Sequence, residues 1–160
     1  MPATISPRQN KLEFSGCVFL RPRQTGKLIK TITIRQPWAH AILHLGKDIE
    51  NRSWYTHYRG PLLIHAAARA EANPRSLLSQ HMSRPPSGND LRNLQTGCIL
   101  GVVDLVDCMR GSKSRWAIRG NWHWVLENPR PIKPVECTGR LNLWTPPPDV
   151  IEKLPKWLTR

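Results

Sequence analysis

Residues 31–66 read TITIRQPWAHAILHLGKDIENRSWYTHYRGPLLIHA, with two strand-like segments on either side of a short helical one. Residues 28–34 alternate apolar and polar side chains and are rich in β-branched residues, which predicts a strand. Pro37 suits the first position of a helix, and Trp38, Ala41, Ile42 and Leu45 recur at the spacing of one helical face. Residues 62–67, LLIHAA, predict a second strand.

The heptapeptide from Gly46 to Arg52 follows this helix and concentrates opposite charges. Gly46 suits the left-handed end of the helix. Lys47, Glu50 and Arg52 then form either an ion-pair network or a polar site that holds and cleaves a ligand. Amide cleavage needs a group that activates water and a donor for the departing amine. Lys47 and Glu50 are the predicted catalytic residues, because proximity and burial tune both protonation states. Spacing alone leaves both readings open.

The predicted strand-to-helix junction carries a cation, an amide and a large aromatic ring, which belong to Arg35, Gln36 and Trp38. Such a set offers an unstacked base a stacking face and hydrogen-bond donors, although Trp38 equally suits the helix's core face. The predicted set for binding substrate or nucleic acid is Arg35, Gln36, Trp38, Arg52, Trp54, Arg59 and His65. His65 is either a satisfied core histidine or a wall of the site. His40 and His44 have metal-ligand spacing but no third ligand, so no metal and no cofactor is predicted.

Beyond residue 67 the strongest strand signal is Cys98 to Cys108. Further strands are predicted at 121–127 and 141–144, helices at 72–82 and 149–154, and a loop at 84–97. Short strands with few helices predict an α+β fold, a small mixed β-barrel with peripheral short helices. Residues 1–27 are predicted to be a flexible basic extension with a short strand near Cys17, and residues 28–160 to be one domain.

Charge points to a polyanionic partner. Lys and Arg total 24 against 11 Asp and Glu, a net charge of +13, and +8 of this lies beyond residue 30. A polyanion is the natural partner, with solubility or an unusual host proteome as the alternative explanation. Together with the aromatic residues near Arg35, this predicts RNA or single-stranded nucleic acid as the partner. No apolar stretch approaches the roughly 18 residues of a membrane span, and the N-terminus lacks a signal-peptide core. We therefore expect a cytoplasmic protein without a membrane partner, and buried free thiols at Cys98 and Cys108.

Residues 31–66, together with GVVDLVDC and WHWVLENPRPIKPVECTGRLNLW, resemble the ASCH domain (activating signal cointegrator homology) family, which has a PUA-like β-barrel. The resemblance covers residues 28–146 and centres on the family motif G-x-K-x-x-E-x-R after RQPW. Lys47, Glu50 and Arg52 match it here, with Gly46 directly before the lysine instead of two positions before it. It implies nucleic-acid recognition. Some small bacterial members deacylate N4-acetylcytidine with the lysine that matches Lys47, and another has reported ribonuclease activity. In the shortest of these enzymes a threonine occupies the position that is Glu50 here, so a threonine nucleophile is not available. Water activation by Glu50 in its place is a hypothesis. Relatives often continue LLIHA with a Ser-Lys pair, where this chain has Ala67 and Ala68. If that lysine contacts the substrate in relatives, Arg69 would have to compensate for its loss here.

Three hypotheses follow. The first is an ASCH-domain module that binds RNA or a modified pyrimidine nucleoside in a basic cleft around Arg35, Lys47, Arg52 and Arg59. The second is an amidohydrolase on N4-acylated cytidine, in which Trp38 stacks the base. The third is a protein-interaction module. The geometry of Lys47 and Glu50 distinguishes the binding hypothesis from the hydrolysis hypothesis. The question is whether the two side chains converge in a closed pocket or line an open groove.

Overall fold

The computed structural model describes residues 29–159. The predicted extension over residues 1–27, including its possible strand, lies outside this range. In chain order, the elements are β1 (Lys30–Ile34), α1 (Trp38–His44), β2 (Ile49–Arg52), β3 (Gly60–Ala66), α2 (Pro74–Ser79), α3 (Gly88–Arg92), β4 (Cys98–Met109), β5 (Trp122–Glu136), β6 (Leu143–Trp144) and α4 (Pro148–Ile151).

The strands form one mixed sheet in the order β2-β5-β4-β3-β1-β6. β1 pairs in parallel with β3, and the other neighbours are antiparallel. The prediction of a mixed sheet with short peripheral helices is confirmed. β2 and β6 remain as the two edges of the order, so the sheet is a half-barrel that ends at two short strands.

Apolar side chains cover both faces of the sheet. On one face Ile42 and Leu43 of α1 pack with strand residues such as Ile64 and Trp124. On the other face Val150 and Leu154, at and just beyond α4, pack with β-strand residues such as Val102. Burial of this apolar area is the main driving force for the fold.

β5 is longer than the sequence indicates, because prolines normally end a strand. It continues to Glu136 through Pro129, Pro131 and Pro134. β2 pairs only with Trp122–Val125, so among residues 29–159 the later part of β5 pairs with β4 alone. A proline without an amide donor is tolerated on such an edge.

A short helix, α3, lies within the region predicted to be a loop. Ser87 accepts a hydrogen bond from the Asp90 amide, and the Asp90 carboxylate accepts one from the Ser87 amide. This reciprocal capping satisfies two donors that a helix start otherwise leaves unpaired. The capping pattern was readable in the sequence, but the surrounding Pro and Gly residues concealed it.

The cysteine prediction is confirmed: Cys98 and Cys108 are buried free thiols, and Cys137 is a half-buried one. Burial raises the pKa of the Cys98 and Cys137 thiols. Within residues 29–159, no helix has the length and apolar content needed to cross a membrane.

Gly101 of β4 lies against the Leu43 side chain of α1 and the backbone of β5 at Arg130. A Cβ there would meet Leu43 Cδ2 at 2.6 Å and the Arg130 carbonyl oxygen at 2.8 Å. We expect Gly101→Ala to lower the free energy of unfolding by about 1–3 kcal/mol, because both neighbours are constrained. Urea unfolding followed by circular dichroism measures this change. Gly88→Ala is the matched control, since its Cβ would meet nothing within 4 Å; equal loss in both variants would contradict the argument.

Candidate functional site

The charged motif is built by the turn that ends α1. Gly46 adopts a left-handed conformation, with φ of +69°, and the Lys47 amide donates to the Ala41 carbonyl at 3.0 Å. This turn directs Lys47 inward. β2 follows at once, and because side chains two apart on a strand share a face, Glu50 and Arg52 lie side by side.

Lys47, Glu50 and Arg52 form one ion-paired group, here called the charged triad. Lys47 Nζ lies 3.0 Å from Glu50 Oε2, and Arg52 Nε lies 3.2 Å from Glu50 Oε1. Lys47 Nζ also donates to the Ile49 carbonyl, and Arg52 Nη2 donates to the Thr33 carbonyl at 3.1 Å. The Lys47 and Glu50 side chains are only 4% and 10% exposed. Glu50 therefore carries a cation on each carboxylate oxygen, and the triad ties α1 to β2 and β1.

A small cavity of about 180 Å³ lies on one side of the triad. Lys47, Glu50 and Trp38 all line it, so the structure brings together the two predicted catalytic residues and the predicted stacking ring. Trp116 and His81 complete its aromatic wall. The His81 ring stacks on Trp116 with centroids 5.1 Å apart and meets Trp38 edge-on at 5.7 Å.

Sequence reasoning missed Trp116 and His81. Trp116 is fixed by donating its indole N–H to the Gly46 carbonyl at 3.0 Å, and His81 bonds to the Arg115 carbonyl at 2.8 Å. Both contacts join residues more than 30 positions apart, so no local spacing reports them. The only available signal was a tryptophan within an otherwise polar, basic segment.

A larger cavity of about 670 Å³ lies on the Arg52 side of the triad. Arg35, Arg52 and Arg140 line it, and none of the lining residues that the structure describes is acidic. Arg52 is held by the triad, whereas Arg35 is largely exposed and makes a 3.4 Å ion pair with Glu71. Leu141, at 89% exposure, stands at its rim. The cavity is therefore cationic with one exposed apolar side chain at its edge.

His65 lies beneath this cavity and is only 1% exposed. Its Nε2 lies 3.0 Å from the Cys137 carbonyl, which accepts, so Nε2 carries the proton. Burial lowers the pKa of the imidazole, although the bond to Cys137 opposes this effect. A Cβ on Gly139 would lie 2.6 Å from His65 Cε1, so glycine lets this loop pack directly on the ring. His65 thus fixes residues 137–142, the segment that carries Arg140 and Leu141.

Three other predicted binding residues lie away from both cavities and have partners of their own. Gln36 is buried, donates to the Gln95 carbonyl at 2.9 Å and accepts from the His40 amide at 3.0 Å. Trp54 packs edge-on against Trp124 at 4.7 Å. Arg59 donates to the Thr56 carbonyl at 2.8 Å and to Asp107 at 3.1 Å.

The imidazoles of His40 and His44 lie side by side on α1, with ring centroids 4.8 Å apart. Burial lowers the pKa of His40, and the nearby His44 lowers it further. Among residues 29–159, no group of three or more His, Cys, Asp or Glu side chains is placed to hold a metal ion.

Comparison with other proteins identifies relatives of this chain. The sequence model of the ASCH domain matches residues 32–136. Activating signal cointegrator 1 of Homo sapiens is 37% identical over 81 residues, and that of Mus musculus is 36% identical over the same length. The match covers 49% of this chain but only 14% of each relative, so the chain spans a small part of their length. A solved structure, a mutant ZmASCH from Zymomonas mobilis, is similar with a TM-score of 0.48 at 12% identity, covering 79% of this chain and 96% of that one.

The triad provides a stability test. Lys47→Met leaves the buried Glu50 with one cation instead of two, and we expect a loss of about 3–5 kcal/mol in the free energy of unfolding. Arg35→Gln is the control, because it breaks a pair whose side chains are 61% and 33% exposed and should cost about 1 kcal/mol or less. Urea unfolding of both variants measures the difference. Similar losses would show that burial of the triad contributes nothing.

Proposed function

The chain belongs to the ASCH domain family, and on that premise we propose that it binds single-stranded RNA, or a chemically similar single-stranded nucleic acid, at its larger cavity. The observation that carries the proposal is the lining of this cavity, to which residues 29–159 contribute three arginines and no carboxylate. A cavity of about 670 Å³ also falls within the usual range for sites that enclose a small organic molecule. One nucleotide of a strand fits this description.

The three arginines differ in how they can serve such a ligand. Arg52 is anchored through Glu50 and Thr33, so it offers a fixed positive charge within the wall. Arg35 and Arg140 are exposed, so a ligand can reach their guanidinium groups. A guanidinium binds phosphate by donating two parallel hydrogen bonds to its oxygens. Leu141 supplies an apolar surface beside them. The arrangement supports phosphate contacts at the rim and an enclosed base or ribose.

Binding of a fluorescein-labelled single-stranded RNA, followed by anisotropy at several salt concentrations, tests this proposal. We expect Arg35→Gln/Arg140→Gln to weaken binding by about tenfold and to reduce the slope of log K against log salt by about 1.4, as two phosphate contacts imply. Lys133→Gln/Lys153→Gln removes the same charge from the exposed surface beside α4 and is the matched control. Equal affinities for the two double variants would refute the proposal.

A second candidate function is hydrolysis of an N4-acylated cytidine at the small cavity. It is favoured by the convergence of Lys47, Glu50 and Trp38 there, in a space suited to a single heterocycle. Each carboxylate oxygen accepts more than one hydrogen bond, so Glu50 can hold a water beside its two cations. Glu50 would take a proton as the water oxygen attacks the acyl carbon. The C–N bond then breaks and the amine nitrogen receives that proton, while the Lys47 ammonium stabilises the oxyanion.

Incubation with N4-acetylcytidine and chromatographic detection of cytidine tests this second function. We expect wild-type protein to release cytidine and Lys47→Met to lose at least about 100-fold in rate, the lower range for removal of a general acid–base or oxyanion partner. Gly101→Ala serves as the control for lowered stability, because Gly101 lies outside the lining of the cavity. Release that persists undiminished in Lys47→Met would exclude the assigned role.

A further inference from the structure

The connection between β4 and β5 is unusually basic. Residues 110–121 read RGSKSRWAIRGN and contain four cations and no acid. This segment is called the basic loop below. We infer that the basic loop is a docking surface for the backbone of single-stranded RNA and leads the strand toward the small cavity. The inference rests on the proposed nucleic-acid binding and extends it to a second surface.

The charges of the basic loop are not neutralised by ion pairs within the described part of the chain. All four cations, Arg110, Lys113, Arg115 and Arg119, are exposed. Of the five ion pairs within residues 29–159, none involves these four. The carboxylate of Asp48, which reaches the loop, accepts a hydrogen bond from the Ser114 hydroxyl. An uncompensated patch of one sign attracts a polyanion.

The basic loop is held firmly despite its surface position. Asn51 donates to the Trp116 carbonyl and accepts from the Ile118 amide, both at 2.8 Å. His123 accepts from the Ser112 amide at 3.0 Å, so its other nitrogen donates to the Ile118 carbonyl at 2.9 Å. Trp116 is itself buried. A surface already ordered before binding loses little conformational entropy when a ligand arrives.

Aromatic rings adjoin these cations. The Arg110 guanidinium lies 4.5 Å from the Trp122 ring centroid. Tyr55 meets Trp122 edge-on at 4.9 Å and His57 at 4.7 Å, and its own ring is partly exposed. Exposed rings among cations suit successive unpaired bases, which stack on them while the backbone follows the charge. An acidic peptide would use the cations but gain nothing from the rings.

The basic loop and the small cavity are physically continuous. Trp116 and Ile118 belong to the loop and also line that cavity beside Glu50. A strand bound along the loop therefore has its next nucleotide at the mouth of the cavity. The geometry makes a polynucleotide, rather than a free nucleoside, the ligand class for this side of the protein.

The test compares two triple variants with the same change in charge. Lys113→Gln/Arg115→Gln/Arg119→Gln removes three loop cations, and Lys133→Gln/Lys153→Gln/Lys156→Gln removes three exposed cations elsewhere. With a labelled single strand of about 12 nucleotides, we expect the loop variant to bind at least about tenfold more weakly and its salt slope to fall by about 2. The control variant should stay within about threefold of wild type, because its lysines lie away from the strand.

Tyr55→Leu separates stacking from charge. It should weaken binding by roughly tenfold without changing the salt slope, since a ring and not a phosphate contact is lost. Circular dichroism and thermal unfolding of each variant confirm that it is folded.

The outcomes distinguish this inference from the proposed function. If the loop variant binds RNA with wild-type affinity while Arg35→Gln/Arg140→Gln binds weakly, the inference about the basic loop is wrong. The larger cavity then remains the RNA site. No RNA binding by wild-type protein overturns both. Competition by poly-glutamate as effective as by unlabelled RNA also overturns the inference, since it indicates a surface for acidic proteins.

Discussion

The Glu50 carboxylate, held between the Lys47 ammonium and the Arg52 guanidinium, is the interaction on which the rest of the site depends. An isolated carboxylate so little exposed would be costly to desolvate. Here each oxygen faces a cation, at 3.0 Å and 3.2 Å. Because Lys47 follows α1 and Arg52 reaches the Thr33 carbonyl of β1, the group holds three elements in register and forms the wall between the two cavities.

The same three side chains therefore stabilise the fold and line the two cavities. Lys47 and Glu50 contribute to the small cavity and Arg52 to the larger one. A rigid, ion-paired wall presents its polar atoms at fixed positions, and such preorganisation favours recognition of a ligand with little reorganisation. The ion-pair reading and the binding-site reading of the motif are therefore compatible, and the binding proposal does not require the triad to open.

The sequence predicted what depends on local pattern and missed what depends on distant contacts. The alternation before Arg35, the apolar face of α1 and the long apolar strand from Cys98 all lie where their periodicity placed them. Lys47, Glu50 and Trp38 were also brought together as expected. Trp116 and His81 were missed because only the folded chain places them opposite the motif.

Residue type alone was a weaker guide to the binding surface. Residue type predicts Gln36 and Trp54 as base contacts, because one carries an amide and the other an indole, yet in the structure both make internal contacts. Residue type does not predict Arg140, because its position at the larger cavity depends on how His65 holds the loop of residues 137–142. The length of β5 likewise depends on where its neighbour β2 ends. The positions of the prolines in the sequence do not indicate this.

The prolines in the second half of β5 have an effect on how the molecule behaves among copies of itself. An unpaired strand edge with free amides is a template for intermolecular sheet growth. Beyond the four residues covered by β2, β5 has proline at positions 129, 131 and 134, and a proline whose nitrogen faces the free edge removes one donor from any added ladder. Within residues 29–159, the longest free edge of the half-barrel is therefore a poor template for intermolecular sheet growth.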